Sequence, residues 1–399
     1  MSEDKKKQKL LIVVHRLNTG GVQRSLLSAL RVLNYEEFDV TLYVRERIWG
    51  LPDDTDIDPR VSGCLRNFDT FHYFRTPRAA LLLLLMRAAE SVGKDPSGIQ
   101  DRLNRYILSE RMKHEKRLFP QENRYDIAIA YIQGETALFV EKYVPADRKI
   151  MFCHSSADDK HELHEKILPS FDRIAAVNEG CRQMLLAAYP DEAEKIVVVE
   201  NYVDPEKIRS EALKYQVDRP AGKTVLCSCG RLSPEKGFDL ALETARMLKE
   251  RGRDFLWYII GDGPERTRIE NDIASLSLDK NIQLVAATGN PYPYFSACDI
   301  YVQPSKEESF GLTIAEAQIL CRPVVTTCTM GGKHLVNDRE TGLIARIDPV
   351  DLADKIGALI DDPALYGHIE DTLQKTDRSA DKEKAAAAWE ALLSFGQGE

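Results

Sequence analysis

The sequence contains no apolar run long enough to cross a membrane. Its most apolar stretch, residues 79–86, has eight residues, whereas a membrane-spanning helix needs about 20. The charged residues 1–9 lead into a short apolar run at 10–14, which is shorter than the apolar region of a signal peptide. The sequence therefore predicts neither a membrane-spanning nor a secreted protein.

The sequence also has neither an excess of basic charge nor a cysteine pattern typical of disulfides. There are 54 Lys and Arg against 63 Asp and Glu, a net charge of -9, so bulk electrostatics favour neither nucleic acid nor an anionic membrane as the main partner. The eight cysteines are scattered, several within apolar runs such as residues 225–229. This pattern indicates reduced, buried thiols rather than a disulfide framework and predicts a cytoplasmic protein.

The chain of 399 residues is long for one hydrophobic core and predicts two domains. Short apolar segments alternate with helical segments, which predicts an α/β fold with parallel sheets covered by helices. The strands are expected at residues 10–15, 40–44, 126–131, 149–153, 173–177, 195–199, 224–229, 256–260, 282–285, 300–303 and 324–327. We expect domains at 1–202 and 203–375, joined through a polar linker, and a final helix within 376–399 that packs back on the first domain.

Residues 68–122 break this alternation and predict a long helical insertion. Its basic residues lie beside the apolar residues 81–86, and they are Arg75, Arg78, Arg87, Arg102, Arg105, Arg111, Lys113, Lys116 and Arg117. One interpretation is a solvated helical hairpin packed on the sheet. The other is a basic amphipathic surface that meets a membrane or a lipid-linked acceptor. Acidic residues in the same region favour the first.

A glycine-rich basic loop follows the expected strand 224–229. It contains Gly230, Arg231 and Lys236. Open parallel sheets bind ligands beyond the carboxyl ends of their strands, where this loop lies. A planar guanidinium and an ammonium there can converge on a pyrophosphate and stabilise charge on a leaving group. The alternative is a surface loop with two solvated cations.

A second loop, which leads into a helix, carries two glutamates separated by seven residues. Between Glu308 and Glu316 stand Ser309, Phe310 and Gly311. Glycine allows the backbone to approach a ligand closely, and the N–H groups at a helix N-terminus favour anions. The carboxylate of Glu316 can accept hydrogen bonds from two ribose hydroxyls, and Glu308 is placed to reach sugar hydroxyls. The alternative is that Glu316 is a favourable helix-terminal charge and Glu308 a solvated loop residue.

Together these motifs resemble the retaining glycosyltransferases of family 4. The segment 308–316, with its Glu-x7-Glu spacing and internal Phe-Gly, carries most of the resemblance. The segment 230–237 is similar to the family's Gly-Arg-Leu-x-x-x-Lys-Gly loop. Residues 201–204 are similar to its Asn-x-Val-Asp signature, and residues 20–22 to its first glycine loop. The resemblance is specific within 230–342 and diffuse in the first 200 residues.

The resemblance implies the GT-B fold, in which two Rossmann-like domains with parallel sheets face each other across a cleft. It implies that the second domain binds the donor nucleotide and the first the acceptor. It also implies retention of anomeric configuration without a metal ion. The catalytic residues carried over by position are Glu308, Arg231, Lys236 and His154. The donor-binding residues carried over are Gly21, Gly230, Arg231, Lys236, Ser309, Phe310, Gly311, Leu312 and Glu316.

These residues predict a hexosyltransferase that moves a sugar from a nucleoside-diphosphate sugar, UDP-linked, to a saccharide or lipid-linked saccharide acceptor. We expect it to act in surface polysaccharide assembly, in the cytoplasm or at the inner membrane face, with no cofactor beyond this substrate. The rivals are a catalytically silent nucleotide-sugar-binding subunit and an epimerase on the same fold. The sequence departs from the family at Gln23, where a Glu is common, and at His334-Leu335, where a Pro-Glu is common.

Three competing motifs are weaker. The acidic segment 54–58 imitates a metal-binding Asp-x-Asp but has no strand before it, which indicates a solvated turn. His154, His161 and His164 suggest zinc, but no Cys or carboxylate completes a site. The segment 261–264 is a glycine turn after a strand, without the third glycine of a dinucleotide-binding motif.

Overall fold

A computed structural model describes residues 6–17, 20–46, 57–66, 76–91, 95, 97–154 and 165–396. Contacts between Cα atoms divide the chain into two compact units. The first unit comprises the described residues within 1–18, 33–153 and 160–175, and the second those within 19–32, 154–159 and 176–399. Each unit is described below by itself.

A parallel sheet of seven strands runs through the first half of the chain, in the order β3-β2-β1-β4-β5-β6-β7. The strands are β1 (Gln8–Arg16), β2 (Phe38–Glu46), β3 (Gly63–Arg66), β4 (Tyr125–Ala130), β5 (Ala146–Cys153), β6 (Arg173–Ala176) and β7 (Ile196–Val198). In the centre, Leu10 of β1 lies opposite Val40 of β2 and Ile127 of β4. All three side chains are fully buried, because a parallel sheet is covered on both faces.

Helices connect these strands. They are α1 (Gly21–Leu30), α2 (Pro77–Ser91), α3 (Ser97–Glu115), α4 (Glu135–Tyr143), α5 (Glu179–Ala188) and α6 (Pro205–Ala212). The helices α2 and α3 occupy the region where the sequence predicts an insertion, and they pack on each other through Ala79, Leu103 and Ile107. Within the described ranges, no helix is both long and apolar enough to cross a membrane.

The second unit contains a parallel sheet of six strands in the order β10-β9-β8-β11-β12-β13. Its strands are β8 (Thr224–Cys229), β9 (Phe255–Ile260), β10 (Ile282–Val285), β11 (Ile300–Gln303), β12 (Val324–Thr327) and β13 (Gly342–Ala345). Its helices are α7 (Phe238–Glu250), α8 (Arg266–Ser275), α9 (Tyr292–Ala297), α10 (Leu312–Ile319), α11 (Met330–Leu335), α12 (Pro349–Asp361), α13 (Pro363–Lys375) and α14 (Asp381–Ser394). One apolar core, centred on Trp257 and Phe238, lies against one face of this sheet, and a second core around Tyr301 lies against the other.

The predicted α/β class with two parallel sheets is confirmed. Eleven predicted strands correspond to β1, β2 and β4 to β12. The two that the sequence did not predict are β3 and β13, each four residues long. Both stand at a sheet edge, where a strand pairs on one side only and carries a weaker hydrophobic signal.

Candidate functional site

The candidate site of the second unit lies where the strand order reverses, between β8 and β11. In open parallel sheets, ligands bind outside the carboxyl ends of the strands at such a point. The loop after β8 and the loop after β11 are joined there by backbone hydrogen bonds, since the Glu235 carbonyl accepts from the N–H groups of Lys306 and Glu307 at 2.8 and 3.1 Å. Gly237 has a positive φ of 67°, and a Cβ on it would lie 2.0 Å from the Pro304 carbonyl oxygen. Only glycine permits this approach.

The closure of these loops brings two of the predicted catalytic residues together. Lys236 ends a short 3-10 turn, Pro234–Lys236, and its Nζ donates to Oε2 of Glu308 at 2.8 Å. Both side chains are half-buried, 24% and 15% exposed. Arg231 is exposed in the same loop. An ammonium, a guanidinium and a carboxylate thus share one sheet edge, and the two cations are of the types that bind phosphate groups.

The N-terminus of α10 lies at the same edge. Gly311 precedes it with φ 89° and ψ 49°, the left-handed region that favours glycine. The first N–H groups of a helix have no partner within the helix, and the helix dipole favours anions there. Thr313, in the first turn, donates to Oε1 of the buried Gln303 at 2.9 Å. Phe310, Gly311 and Leu312 thus lie at the start of this helix, and their role in donor binding stays a prediction.

Glu316 is almost fully buried on α10, 3% exposed, and is held by a residue that the sequence analysis missed. Nη1 of Arg24, on α1, lies 2.9 and 3.0 Å from the two carboxylate oxygens of Glu316. The Tyr292 hydroxyl donates to the same carboxylate at 3.3 Å. Burial raises the pKa of Glu316 above its ordinary value, while Arg24 and Tyr292 act to lower it. The Arg24 pair therefore opposes the effect of burial on the pKa of Glu316 and favours the charged form of the carboxylate.

Close backbone packing fixes the loop that precedes α10. The Gly331 N–H donates to the Glu308 carbonyl at 2.8 Å, and a Cβ on Gly331 would lie 2.6 Å from the Phe310 carbonyl oxygen. Asn178 donates to the Ser309 carbonyl at 2.5 Å and also caps α5. The sequence gives only a weak signal for Asn178, that of an asparagine before a helix. His334, where the sequence departs from the family, lies beside Phe310, with ring centroids 5.5 Å apart and the rings tilted by 54°.

The glycine turn after β9 has a structural role. A Cβ on Gly261 would lie 1.9 Å from the Gly230 carbonyl oxygen, and one on Gly263 would lie 2.4 Å from the Leu232 carbonyl oxygen. The Leu232 N–H also donates to the Asp262 carbonyl at 2.9 Å. The turn therefore packs against the loop that carries Arg231. This packing explains the glycines at 261 and 263 without a dinucleotide-binding role, for which a third glycine would be needed.

Gly21 and His154 complete the set of predicted residues. Gly21 begins α1, and a Cβ on it would lie 3.5 Å from Cδ1 of Leu312, in ordinary contact. His154 directly follows β5 and is half-buried; its catalytic role stays a prediction. His161, His164 and the first residues of the acidic segment 54–58 lie outside the described residues. Across the parts of the chain that the structure describes, no group of three potential metal ligands occurs.

The eight cysteines are free thiols, of which Cys153, Cys181, Cys227 and Cys298 are buried, whereas Cys64 is exposed, unlike the buried thiols that the sequence predicts. Cys229 ends β8, next to the candidate site. Burial raises the pKa of the Cys229 thiol to about 11, although Arg24 acts to lower it. The thiol is thus protonated near neutral pH and is a poor nucleophile.

The first unit contains a network of charges that the sequence analysis did not predict. Arg45, the penultimate residue of β2, is fully buried and donates to both oxygens of Glu115 at 3.1 and 2.8 Å. Arg111 is 7% exposed and bonds Glu135 at 2.9 Å. Burial, aided by Arg111 and Arg45, lowers the pKa of His15 to about 4. The hydrogen bonds from Arg45 to Glu115 and from Arg111 to Glu135 join residues 70 and 24 positions apart, so no local pattern could have revealed them.

Comparisons with known proteins agree with this geometry. Residues 210–376 match the family model of the glycosyl transferases group 1. An uncharacterized glycosyltransferase of Haemophilus influenzae is 27% identical over 182 residues, which cover 45% of this chain and 51% of that protein. The capsular polysaccharide biosynthesis glycosyltransferase CapM of Staphylococcus aureus is 26% identical over 231 residues, which cover 56% and 60%. The matches thus span less than two thirds of these relatives.

Similarity of structure extends over nearly the whole chain. The crystal structure of Anabaena Alr3699/HepE in complex with UDP and glucose has a TM-score of 0.70 and 15% identity, and the match covers 96% of this chain and 100% of that one. The predicted GT-B fold is therefore confirmed. The segment 210–376, which contains Arg231, Lys236, Glu308 and Glu316, matches the glycosyl transferases group 1, and the chain shares its fold with the solved glycosyltransferase of Rickettsia africae, with a TM-score of 0.63, 20% identity and coverage of 98% of this chain and 100% of that one.

Proposed function

We propose that the protein is a retaining, metal-independent glycosyltransferase that moves a hexose from a UDP-sugar to a saccharide or lipid-linked saccharide acceptor. The observation that carries this proposal is the 2.8 Å pair of Lys236 and Glu308. It stands at the strand-order reversal of the second sheet, beside the N-terminus of α10. The resemblance to family 4 and the match of residues 210–376 to the glycosyl transferases group 1 support it.

The charges of the site suit the departure of a nucleoside diphosphate. The bond between the anomeric carbon and the β-phosphate oxygen breaks, and its electron pair stays on that oxygen. Arg231, Lys236 and the N-terminal N–H groups of α10 stabilise the resulting negative charge. An acceptor hydroxyl oxygen bonds to the anomeric carbon on the same face, and its proton passes to the leaving phosphate. Glu308 holds a sugar hydroxyl, and Glu316 holds the ribose.

This assignment explains why the Lys236–Glu308 pair is half-buried rather than exposed. Both partners stay within reach of a ligand and are already desolvated in part, so little reorganisation is needed when the diphosphate binds. The ammonium then exchanges the carboxylate for phosphate oxygens. Glu308 is released to accept from the sugar.

The acceptor proposal rests on similarity to other proteins. The relative CapM is named for capsular polysaccharide biosynthesis, and the sequence predicts a role in surface polysaccharide assembly. We propose that this protein acts in the cytoplasm, on a saccharide or lipid-linked saccharide at the inner membrane face. The eight free thiols agree with a reducing compartment.

Incubation with a panel of nucleotide sugars tests the proposal. A UDP-sugar is expected to raise the midpoint of thermal unfolding and to be turned over in the presence of acceptor. Lys236→Ala and Glu316→Ala are expected to abolish transfer while the protein stays folded. Lys375→Ala removes a lysine whose side chain is 79% exposed on α13 and serves as the control, which keeps full activity. Normal turnover in both site variants would refute the site.

The same experiment separates the two rivals. A silent binding subunit would be stabilised by the nucleotide sugar but would release neither UDP nor product. An epimerase would convert the sugar without an acceptor. Absence of stabilisation by any nucleotide sugar would sink the transferase proposal.

A further inference from the structure

Helix α2 of the first unit exposes leucines that its own packing does not use. Leu81 is 56% exposed, Leu84 63% and Leu85 47%. They are spaced at i, i+3 and i+4 and therefore lie on one face of the helix. The opposite face contributes Ala79, Leu82, Leu83 and Met86 to a small core with α3. The helix is thus apolar on both sides, and one side faces solvent.

Exposed basic residues accompany this apolar face. Arg78 and Arg87 flank the leucines on α2, and both are exposed. Among the described residues from 77 to 118, seven basic residues are exposed, namely Arg78, Arg87, Arg102, Arg105, Lys113, Lys116 and Arg117. The exposed acidic residues there are Asp95 and Asp101. The exposed surface of α2 and α3 is thus basic, whereas the whole chain has a net charge of -9.

We propose that the exposed face of α2 docks on an anionic lipid bilayer. The three leucines enter the boundary between headgroups and acyl chains, while Arg78 and Arg87, which flank them on α2, contact anionic headgroups. Helices with apolar side chains on one face and arginines beside them bind membranes in this way. The arginines beside the leucines favour an anionic bilayer over an apolar protein partner. Each arginine near the surface of an anionic bilayer strengthens binding to it, whereas an apolar protein surface does not require basic residues.

The face belongs to the first unit and contains none of the candidate donor residues. Its membrane binding is therefore independent of the proposed transferase activity, and it is measured without donor or acceptor. If the docking proposal fails, nucleotide-sugar binding by Lys236 and Glu316 is unaffected. If the transferase proposal fails, vesicle binding remains as predicted.

Flotation with lipid vesicles tests the proposal on the full chain. Wild-type protein is expected to float with vesicles of phosphatidylcholine and phosphatidylglycerol, and to stay in solution with phosphatidylcholine alone. Leu81→Ser/Leu84→Ser/Leu85→Ser is expected to lower the partition coefficient about tenfold or more. Arg78→Gln and Arg87→Gln are each expected to lower it about fivefold, an effect that high salt removes.

A matched control comes from α6 in the second unit. Arg209 is exposed there, and Leu213, which follows the helix, is 85% exposed. The variant Arg209→Gln/Leu213→Ser removes the same residue types at another surface and should bind vesicles as the wild type does. Circular dichroism checks that every variant is folded, and the single variant Leu84→Ser replaces the triple variant if the latter unfolds.

Three outcomes would overturn the proposal. The first is that wild-type protein does not bind the anionic vesicles. The second is that the control variant loses as much binding as the triple variant. The third is that analytical ultracentrifugation finds a dimer that the triple leucine variant dissociates, since the face would then bind a second copy of the chain.

Discussion

At the scale of single residues, the candidate site depends on a pair that no local sequence pattern connects. Arg24 and Glu316 are 292 positions apart, yet Nη1 of Arg24 contacts both carboxylate oxygens. The sequence identified Glu316 through its spacing from Glu308, and it identified Gln23 as a departure from the family. The residue beside Gln23 contacts the site, because α1 directs Arg24 toward α10. Such a pairing depends on tertiary structure.

Replacement of Arg24 tests the function of this pair. Arg24→Ala removes the cation that favours ionised Glu316, so burial raises the pKa of Glu316 further and the protonated form loses one acceptor for ribose. We expect UDP to bind about tenfold more weakly, and most weakly at acidic pH. Isothermal titration calorimetry across a pH series measures both effects.

Glu316→Gln is the matched comparison for that prediction. It removes the titratable group itself, so its UDP affinity should be weak at every pH. Equal affinity of wild type and Arg24→Ala at all pH values would show that Arg24 does not act through the carboxylate.

His15 predicts a separate dependence of stability on pH. Its folded pKa is about 4, against 6.5 for an ordinary histidine, so the unfolded chain binds the proton at higher pH than the folded chain does. The free energy of unfolding is therefore highest above pH 6.5 and falls as the pH drops toward 4. Since the side chain is 30% exposed, we expect the loss to be about 2 kcal/mol.

Urea unfolding of wild type and His15→Gln at a series of pH values measures this loss. His15→Gln should lack that part of the slope. His368→Gln is the control, because His368 is 53% exposed, and it should keep the slope of the wild type. An unchanged slope in His15→Gln would contradict the prediction.

At the scale of secondary-structure elements, contacts between loops position the candidate site. The turn after β9 supports the loop after β8, where a Cβ on Gly261 would lie 1.9 Å from the Gly230 carbonyl oxygen. We expect Gly261→Ala to lower the free energy of unfolding by about 1–3 kcal/mol and to weaken UDP binding, because it displaces the backbone before Arg231.

Gly367→Ala is the control for that substitution. Gly367 lies within α13, and a Cβ on it would meet nothing within 4 Å. Alanine there should raise the free energy of unfolding by about 0.5–1 kcal/mol. Chemical denaturation measures both variants, and a Gly261→Ala protein as stable as Gly367→Ala would show that the close approach is unimportant.

The sequence predicted the central strands of both sheets because a parallel strand buried on both faces appears as a continuous apolar run. It missed β3 and β13, which are four residues long and stand at sheet edges. The site loops after β8 and β11 were predictable from their motifs. Their supports, Asn178 and the Gly331 approach to Phe310, depend on packing between segments distant in the sequence.

At the scale of the whole molecule, the two units contain separate determinants of stability. The candidate donor residues, from Gly21 and Arg24 to Glu316, all belong to the second unit. The buried Arg45–Glu115 pair belongs to the first, with both side chains 0% exposed. Proteins of two domains commonly unfold in more than one step. A ligand of one unit and a mutation in the other should therefore act on different steps.

Differential scanning calorimetry tests this separation. We expect two unfolding transitions. At a hundredfold excess over its dissociation constant, UDP should raise the free energy of unfolding of the second unit by about 2.7 kcal/mol and should leave that of the first unit unchanged. Glu115→Gln leaves Arg45 buried without its carboxylate. It should lower the free energy of unfolding of the first unit by about 3–5 kcal/mol. Glu270→Gln, at a carboxylate 50% exposed on α8, should change neither transition by more than about 0.5 kcal/mol. A single transition that moves with both UDP and Glu115→Gln would show that the two units unfold together.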